Sequence, residues 1–211
     1  MVSTEVDILK ISLDYIFLLI VILYFLIRFY FSIKLIKKHN IYKRHYTVIR
    51  IVKNFGYFLQ YTVIPFIWVY TNIFDFFQLK TSSIIQTVVI FIGVANTLFF
   101  YIIHNQLMEN FSPYVEVFEK QKLVTTGVYK YIRHPMYLQL LIYAVFIGLY
   151  TQNFLIFIIE IVGWCVMYIN RVQKEEQILE DKFKEEYIEY KMNTPRLFPS
   201  LKFISKQIRK L

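Results

Sequence analysis

The chain has 211 residues, of which 57% are hydrophobic and 19% aromatic, and its mean hydropathy is +0.45. This composition excludes an ordinary water-soluble domain, in which about half of the residues are apolar. The formal charge of +9 arises from Lys and Arg residues that lie between apolar runs rather than along a soluble face. We therefore predict a protein that crosses the membrane several times, with no nucleic-acid partner.

Long apolar runs predict the transmembrane helices, because about 20 apolar residues cross a hydrocarbon layer and a helix satisfies its own backbone there. The first three runs cover residues 11–33, 55–73 and 82–104. The apolar stretch over 136–172 is too long for one span and is interrupted at Gln152-Asn153. It predicts two helices joined there as a hairpin.

The basic residues predict the orientation, since Lys and Arg are enriched in cytoplasmic loops. Of the 24 Lys and Arg residues, all but Lys10, Arg28 and Lys80 fall in segments that this topology places in the cytoplasm. The N-terminus is then outside and the C-terminus inside. Beyond Arg171, apolar residues recur at helical spacing among charged ones, which predicts an amphipathic helix.

The predicted fold is therefore all-α. It is a polytopic membrane protein of about five transmembrane helices, with the fourth and fifth as a helical hairpin and a cytoplasmic C-terminal helix. We divide it into an N-terminal three-span region, residues 1–104, and a second region, residues 105–211, that contains a cytoplasmic connector, the hairpin and the tail.

A polar cluster, Arg133-His134-Pro135-Met136-Tyr137, precedes the hairpin. Proline disfavours the α conformation in the residue before it and fits the first turn of a helix, so we expect a helix to begin at Pro135. The free N–H groups of a helix start are suited to a carboxylate. The alternative is that Arg133 anchors a helix to lipid headgroups and that Tyr137 belongs to an aromatic belt.

A second polar cluster, Arg171 with Glu175-Glu176, follows the hairpin. Residues four apart share one helix face, so Arg171 and Glu175 would pair or point together into one pocket. The alternative is an exposed ion pair worth about 0.3 kcal/mol. Because both clusters lie at the cytoplasmic ends of consecutive helices, we expect them to be close in space.

Other polar residues are less specific. Glu160, inside the last span, is costly in lipid unless it is paired or faces a cavity, so it is a candidate functional residue, with a hydrogen bond to a neighbouring helix as the alternative. His104 lies at a span end, where interfacial anchoring and a role in a pocket both stay open. His39 and His45 lack the spacing of metal ligands, and we predict no metal site.

From Leu123 to Pro199 the sequence resembles the isoprenylcysteine carboxyl methyltransferases, which belong to a membrane methyltransferase superfamily that includes phospholipid N-methyltransferases. The combination of Arg-His-Pro-x-Tyr with Glu-Glu around a helical hairpin is specific for the superfamily, while each half alone is weak. Many family members have His where this chain has Gln121. The matching elements are Lys122-Leu123-Val124, Gly127-Val128-Tyr129, Arg133-His134-Pro135-Met136-Tyr137, Arg171 with Glu175-Glu176, and Glu186-Tyr187 followed by Tyr190.

The resemblance implies that residues 105–211 are the catalytic half and bind S-adenosylmethionine between the hairpin and the tail. It implies that Arg171 is the catalytic and substrate-binding residue, which holds the substrate carboxylate, and that Glu175 binds a polar group of the cofactor. The other implied cofactor contacts are Tyr114, Gln121, Lys122, Leu123, Val124, Tyr129, His134, Pro135, Met136 and Tyr137.

The implied activity is that of a protein-S-isoprenylcysteine O-methyltransferase, which esterifies the C-terminal carboxylate of a prenylated cysteine. The expected partners are that lipid-modified cysteine and membrane lipids. An ionised carboxylate needs no general base, and Arg171 suits it through a bidentate pair. The alternatives are methylation of a phospholipid amine or small lipophilic amine, which needs a proton acceptor, and a non-catalytic membrane module.

Overall fold

The computed structural model describes residues 2–38, 59–71, 73, 75–79, 82–110, 121–199 and 205. Within these residues the fold is helical, which confirms the predicted all-α class, and the only strand-like pairing is an isolated bridge between Gln78 and Asn153. The α-helices of the described ranges are α1 (Val2–Lys38), α2 (Ile64–Tyr70), α3 (Ser83–Leu107), α4 (Pro135–Thr151), α5 (Phe154–Phe183) and α6 (Glu185–Asn193).

Three helices are long and apolar enough to cross a membrane, namely Ile8–Lys34 within α1, all of α3 and all of α5. Two shorter apolar helices accompany them, Tyr61–Tyr70 and α4. The chain is thus an integral membrane protein. Part of the second predicted span, residues 55–58 and 72, lies outside the described residues. The count of five spans and the orientation of the termini stay predictions.

The hairpin forms where the sequence predicts it. Helix α4 begins at Pro135, and Gln152 and Asn153 join it to α5. Gln152 has a positive φ of 51°, the left-handed conformation that reverses the chain after a helix. A Cβ atom added at Gly148 would lie 2.3 Å from the Phe157 ring and 2.9 Å from the Phe157 Cα, so the hairpin packs closely only because this residue is glycine.

The predicted tail helix does not begin separately at Arg171. Helix α5 continues without interruption to Phe183, because no Gly or Pro interrupts the chain as it becomes polar. The break comes at Lys184, which has a positive φ of 51°. Helix α6 then ends at Asn193, two residues before Pro195.

The chain forms two compact units. The first consists of Met1–Phe99 and Leu141–Val166, and the second of Phe100–Leu140 and Met167–Leu211. The division into residues 1–104 and 105–211 follows sequence order instead, and it stays a prediction.

Aromatic rings form the core of the first unit. The Phe17 ring of α1 stacks on Tyr150 with 4.2 Å between centroids, and the Tyr24 ring stacks on Tyr143 at 4.0 Å. Offset ring stacking adds to the burial of these large side chains. The Tyr143 hydroxyl also donates to the Tyr61 carbonyl at 3.5 Å. Pro65 has no N–H for that carbonyl, so a neighbouring helix satisfies it.

A turn at Gly127 positions the connector in the second unit. Gly127 has a φ of +60°, and a Cβ atom there would lie 2.6 Å from the Gln106 carboxamide. Gln106 Oε1 accepts the N–H of Val128 at 2.9 Å. The end of α3 therefore holds the short 3₁₀-helix Gly127–Lys130, which leads into α4.

Candidate functional site

The start of α4 places His134 at the site. The His134 carbonyl accepts the N–H groups of Tyr137 at 3.1 Å and Leu138 at 3.3 Å, while Pro135 takes the first helical position. The His134 side chain is buried. The sequence Arg-His-Pro therefore ends the connector and begins the helix, which fixes the imidazole where the two meet.

The two polar clusters are in direct contact, as expected for a hairpin. His134 Nε2 lies 3.0 Å from Glu176 Oε1, and His134 Nδ1 lies 3.9 Å from Glu175 Oε2. Arg171 Nη2 lies 3.8 Å from Glu175 Oε1, one turn earlier on α5. His134, Arg171 and Glu175 thus form one group of side chains within the second unit.

The adjacent acids Glu175 and Glu176 have different surroundings. The Glu176 side chain is 4% exposed, and its carboxylate accepts hydrogen bonds from Arg133 Nη2 at 2.9 Å and Arg196 Nη2 at 2.6 Å. The Glu175 side chain is 26% exposed, and its contacts with His134 and Arg171 are longer than hydrogen bonds. Successive helical residues point about 100° apart, so α5 buries one acid and leaves the other at the open side.

Arg133 is not a headgroup anchor. Its side chain is 7% exposed, and besides Glu176 it donates to the carbonyls of Lys191, at 2.8 Å, and Thr194. An enclosed guanidinium cannot reach lipid headgroups. Tyr137 is also buried, with its ring edge-on to His134 at 5.7 Å, which is incompatible with an aromatic belt at the membrane surface. The alternative interpretation of this first cluster is therefore wrong.

The tail after α6 is bound to the residues before α4. The Arg133 N–H donates to the Pro195 carbonyl at 2.9 Å, and the His134 N–H donates to the Arg196 carbonyl at 3.0 Å. The Tyr190 hydroxyl donates to the Tyr129 carbonyl at 2.6 Å. These bonds satisfy the backbone where helical pairing stops, and they make the tail part of the site.

Burial and charge set the protonation of the surrounding groups. Burial raises the pKa of Tyr129 well above its usual range, and the nearby Tyr190 and Glu175 raise it further. The Tyr129 hydroxyl is therefore a protonated donor close to Glu175. The hydrogen bond to Glu176 raises the pKa of Arg196, so this guanidinium stays charged throughout the physiological range.

Among the predicted cofactor contacts, Tyr129, His134 and Glu175 lie together with Arg171. Pro135 and Met136 form the first turn of α4 beside them.

Other predicted contacts precede Gly127. Gln121 Nε2 donates to the Asn110 carbonyl at 3.0 Å, and the Lys122 N–H donates to Asn110 Oδ1 at 2.7 Å. Leu123 and Val124 are half-buried in the irregular segment that follows. Tyr114 lies outside the described residues. The roles of all these residues stay predictions.

Sequence reasoning missed Arg196 and the central position of Glu176. Arg196 lies 20 residues beyond Glu176, so no helical spacing connects the two. The Glu175-Glu176 pair could have indicated the role of Glu176. Two adjacent acids on a helix point in different directions, so one of them can be buried while the other lines a site.

The other singled-out polar residues are deeply buried. Glu160 is fully buried in the first unit. His104 is fully buried in the second, with Nδ1 3.0 Å from the Phe100 carbonyl one turn earlier, so it is not an exposed interfacial anchor. Across the described ranges, no group of three or more His, Cys, Asp or Glu residues is arranged to hold a metal ion.

The chain is similar to known proteins over this region. The phospholipid methyltransferase family model matches residues 82–186. The nickel-cobalt-cadmium resistance protein NccN of Alcaligenes xylosoxydans xylosoxydans is 31% identical over 88 residues, which are 42% of this chain and 41% of that protein. The protein-S-isoprenylcysteine O-methyltransferase of Saccharomyces cerevisiae is 41% identical over 69 residues, 33% of this chain and 29% of that protein.

The fold is similar to a solved structure, that of the eukaryotic intramembrane Ras methyltransferase ICMT (isoprenylcysteine carboxyl methyltransferase). The TM-score is 0.51 at 18% identity, and the match covers 75% of this chain and 54% of that one. The range that the family model matches, residues 82–186, includes His134, Arg171 and the acid pair. These findings support the resemblance of the chain to the isoprenylcysteine carboxyl methyltransferases, within the membrane methyltransferase superfamily that also includes the phospholipid methyltransferases.

Proposed function

We propose that this chain is a membrane methyltransferase that uses S-adenosylmethionine to esterify the C-terminal carboxylate of a prenylated cysteine. The observation that carries the proposal is the pairing of Arg171 with Glu175, 3.8 Å apart and both partly exposed, beside the buried His134. Arg171 would bind the carboxylate of the methyl acceptor, and Glu175 would bind the cationic methyl donor. The two side chains lie one helical turn apart on α5.

The groups around Glu175 suit S-adenosylmethionine. Its carboxylate has contacts with cations only at 3.8 and 3.9 Å among the ion pairs of the described residues, so it retains acceptor capacity for a bound ligand. Tyr129, held protonated, adds a hydroxyl donor nearby. Glu175 would hold a polar group of the cofactor and attract its positive charge, with His134 to Tyr137 and Tyr129 as the surrounding wall.

Arg171 would bind and orient the acceptor. A guanidinium holds a carboxylate through two parallel hydrogen bonds, which fixes one oxygen for in-line attack. The bound cofactor supplies an electrophilic methyl group on a sulfonium. Because the carboxylate is already ionised, the protein has no proton to remove, and positioning provides most of the rate. Glu175 would offset the charge of Arg171.

Methylation of a phospholipid amine is the second candidate, and the match to the phospholipid methyltransferase family model favours it. An ammonium must lose a proton before it can attack. The base nearest to the acid pair is His134, whose Nδ1 lies 3.9 Å from Glu175. This reaction therefore needs a base that the carboxylate reaction does not, which is why we place it second.

The chemistry of the product separates the two candidates. The purified chain in lipid nanodiscs would be given S-adenosylmethionine with a radiolabelled methyl group and either a farnesylated cysteine analogue or phosphatidylethanolamine. A methyl ester releases volatile methanol in alkali, whereas an N-methyl group does not. We expect alkali-labile product with the cysteine analogue alone. Label on the amine lipid instead would favour the second candidate, and no cofactor binding at all would refute both.

A further inference from the structure

Glu176 is the centre of a compact group of charges, here called the Glu176 cluster: Glu176, Arg133, His134 and Arg196. Glu176 Oε1 lies 2.9 Å from Arg133 Nη2, 3.0 Å from His134 Nε2 and 3.1 Å from Arg196 Nε. Glu176 Oε2 accepts from Arg196 Nη2 at 2.6 Å. With both oxygens engaged by protein donors and the residue 3% exposed, Glu176 has no capacity for a ligand.

The Glu176 cluster indicates which nitrogen of a neutral His134 ring would carry the proton. A neutral imidazole has one N–H and one lone pair. The Nε2 atom faces a carboxylate oxygen, which can only accept, so the proton belongs on Nε2. The lone pair of a neutral ring is then on Nδ1, the nitrogen on the side of the partly exposed Glu175.

The geometry also ties this histidine to the tail. Arg196 contacts both oxygens of Glu176 through its side chain, and its carbonyl accepts the N–H of His134 at 3.0 Å. The Arg133 guanidinium connects Glu176 to the carbonyls of Lys191 and Thr194. The imidazole is therefore held through its ring and through its backbone by the same set of residues.

We propose that Glu176 is a positioning residue, which holds His134 as the Nε2–H tautomer so that the Nδ1 lone pair is presented beside Glu175 as a hydrogen-bond acceptor at the cofactor site. Partners that fix the tautomer of a functional histidine commonly act in this indirect way. The final step, from Nδ1 to a bound cofactor, rests on the proposed function. The tautomer itself does not.

The tautomer is measurable without any enzyme assay. Long-range ¹H–¹⁵N spectra of the full chain, labelled with [¹⁵N]histidine in detergent at neutral pH, distinguish Nε2–H, Nδ1–H and doubly protonated rings. The variant His134→Asn assigns the signal. We expect the Nε2–H form in the wild type. An Nδ1–H ring or an imidazolium there would overturn the proposal, because neither presents a lone pair at Nδ1.

Variants of Glu176 test whether this residue sets the tautomer of His134. Glu176→Ala removes the acceptor, so His134 should shift to the Nδ1–H form with Glu175 as its partner. Glu176→Gln retains one acceptor oxygen and should keep the wild-type tautomer. If Glu176→Ala does not fold, the double variant E176M/R196M, which removes one arginine together with the acid, is measured in its place. A folded protein that keeps Nε2–H without Glu176 would contradict the assignment.

The matched control is Glu180→Ala, which removes an acid one turn further along α5 that pairs with Lys191. It should leave the His134 signal unchanged. S-adenosylmethionine affinity, measured by calorimetry, should fall about 10-fold in Glu176→Ala, the loss typical of an orienting partner. If the wild type has the expected His134 tautomer but does not bind S-adenosylmethionine, only the proposed function is refuted. If it binds S-adenosylmethionine normally but has the other tautomer, only the positioning role of Glu176 is refuted.

Discussion

In the first unit, α1 and α4 meet through aromatic rings, whereas in the second unit the residues before α4 meet α5 and the tail through charges. The Phe17–Tyr150 and Tyr24–Tyr143 stacks depend on volume and shape. The Glu176 cluster depends on each group having its partner, because a buried charge without one costs several kcal/mol. Substitutions in the aromatic core of the first unit should therefore lower stability, whereas substitutions of the partly exposed Arg171 and Glu175 in the second unit should change mainly ligand binding and turnover.

The largest effect is expected in the first unit. Phe17 is fully buried between the rings of Trp68, Phe146 and Tyr150. Phe17→Ala should lower the unfolding free energy by about 3–5 kcal/mol, because it removes a buried ring and leaves a cavity. Thermal unfolding in detergent measures the loss, and Leu19→Ala, on the exposed face of the same helix, is the control. An unchanged melting temperature would contradict the claim that the aromatic core stabilises the first unit.

Arg171→Ala tests the second unit at the proposed acceptor site. Turnover on a farnesylated cysteine analogue should fall by at least about 100-fold, since a misaligned acceptor loses its near-attack geometry. Binding of S-adenosylmethionine should be nearly intact, because Arg171 is assigned to the acceptor alone. Lys174→Ala, an exposed change on the same helix, is the control.

Equal loss of cofactor binding and of turnover in Arg171→Ala would contradict the separate roles given to Arg171 and Glu175. Arg171→Lys sharpens the test further. It keeps the charge but loses the bidentate geometry, so we expect it to recover only part of the rate.

Glu175→Ala should weaken cofactor binding about 10-fold, because it removes the partly exposed carboxylate that complements a cationic ligand. Calorimetric titration with S-adenosylmethionine checks it. The melting temperature of the ligand-free chain should be unchanged, since the ion pair of Glu175 with Arg171 is long and partly solvated. Marked destabilisation with normal affinity would assign Glu175 a structural role instead.

The smallest effect is expected where the tail contacts the connector. Tyr190→Phe removes the hydroxyl that donates to the Tyr129 carbonyl and should cost about 1 kcal/mol of stability. Chemical unfolding of the second unit, followed by hydrogen exchange in residues 121–134, measures it. Tyr131→Phe, which alters an exposed ring in the same segment, should have no effect.

The local features of the fold that proline and polar residues mark were predictable from the sequence. The start of α4 follows from Pro135, and the hairpin turn follows from the polar Gln152 and Asn153 between apolar helices. The uninterrupted course of α5 past Arg171 was not expected, because hydropathy changes there while helix propensity does not.

The same limit applies to the site. The proximity of His134 to Glu175 followed from the hairpin, since the turn forces the helix ends together. The partners of Glu176 could not be predicted from the hairpin. Arg196 reaches Glu176 from a separate segment, and the path of that segment depends on the break at Lys184. A positive φ at a lysine is set by the surrounding tertiary structure, and no propensity of that residue predicts it.

The wide sequence separation within the Glu176 cluster has a consequence for biogenesis. Arg133 and Arg196 are brought onto one carboxylate although 62 residues separate them in the chain. Because the chain is synthesised from its N-terminus, Arg133 and Glu176 leave the ribosome before Arg196 does. Until Arg196 follows, the Glu176 carboxylate lacks one of its two arginine partners.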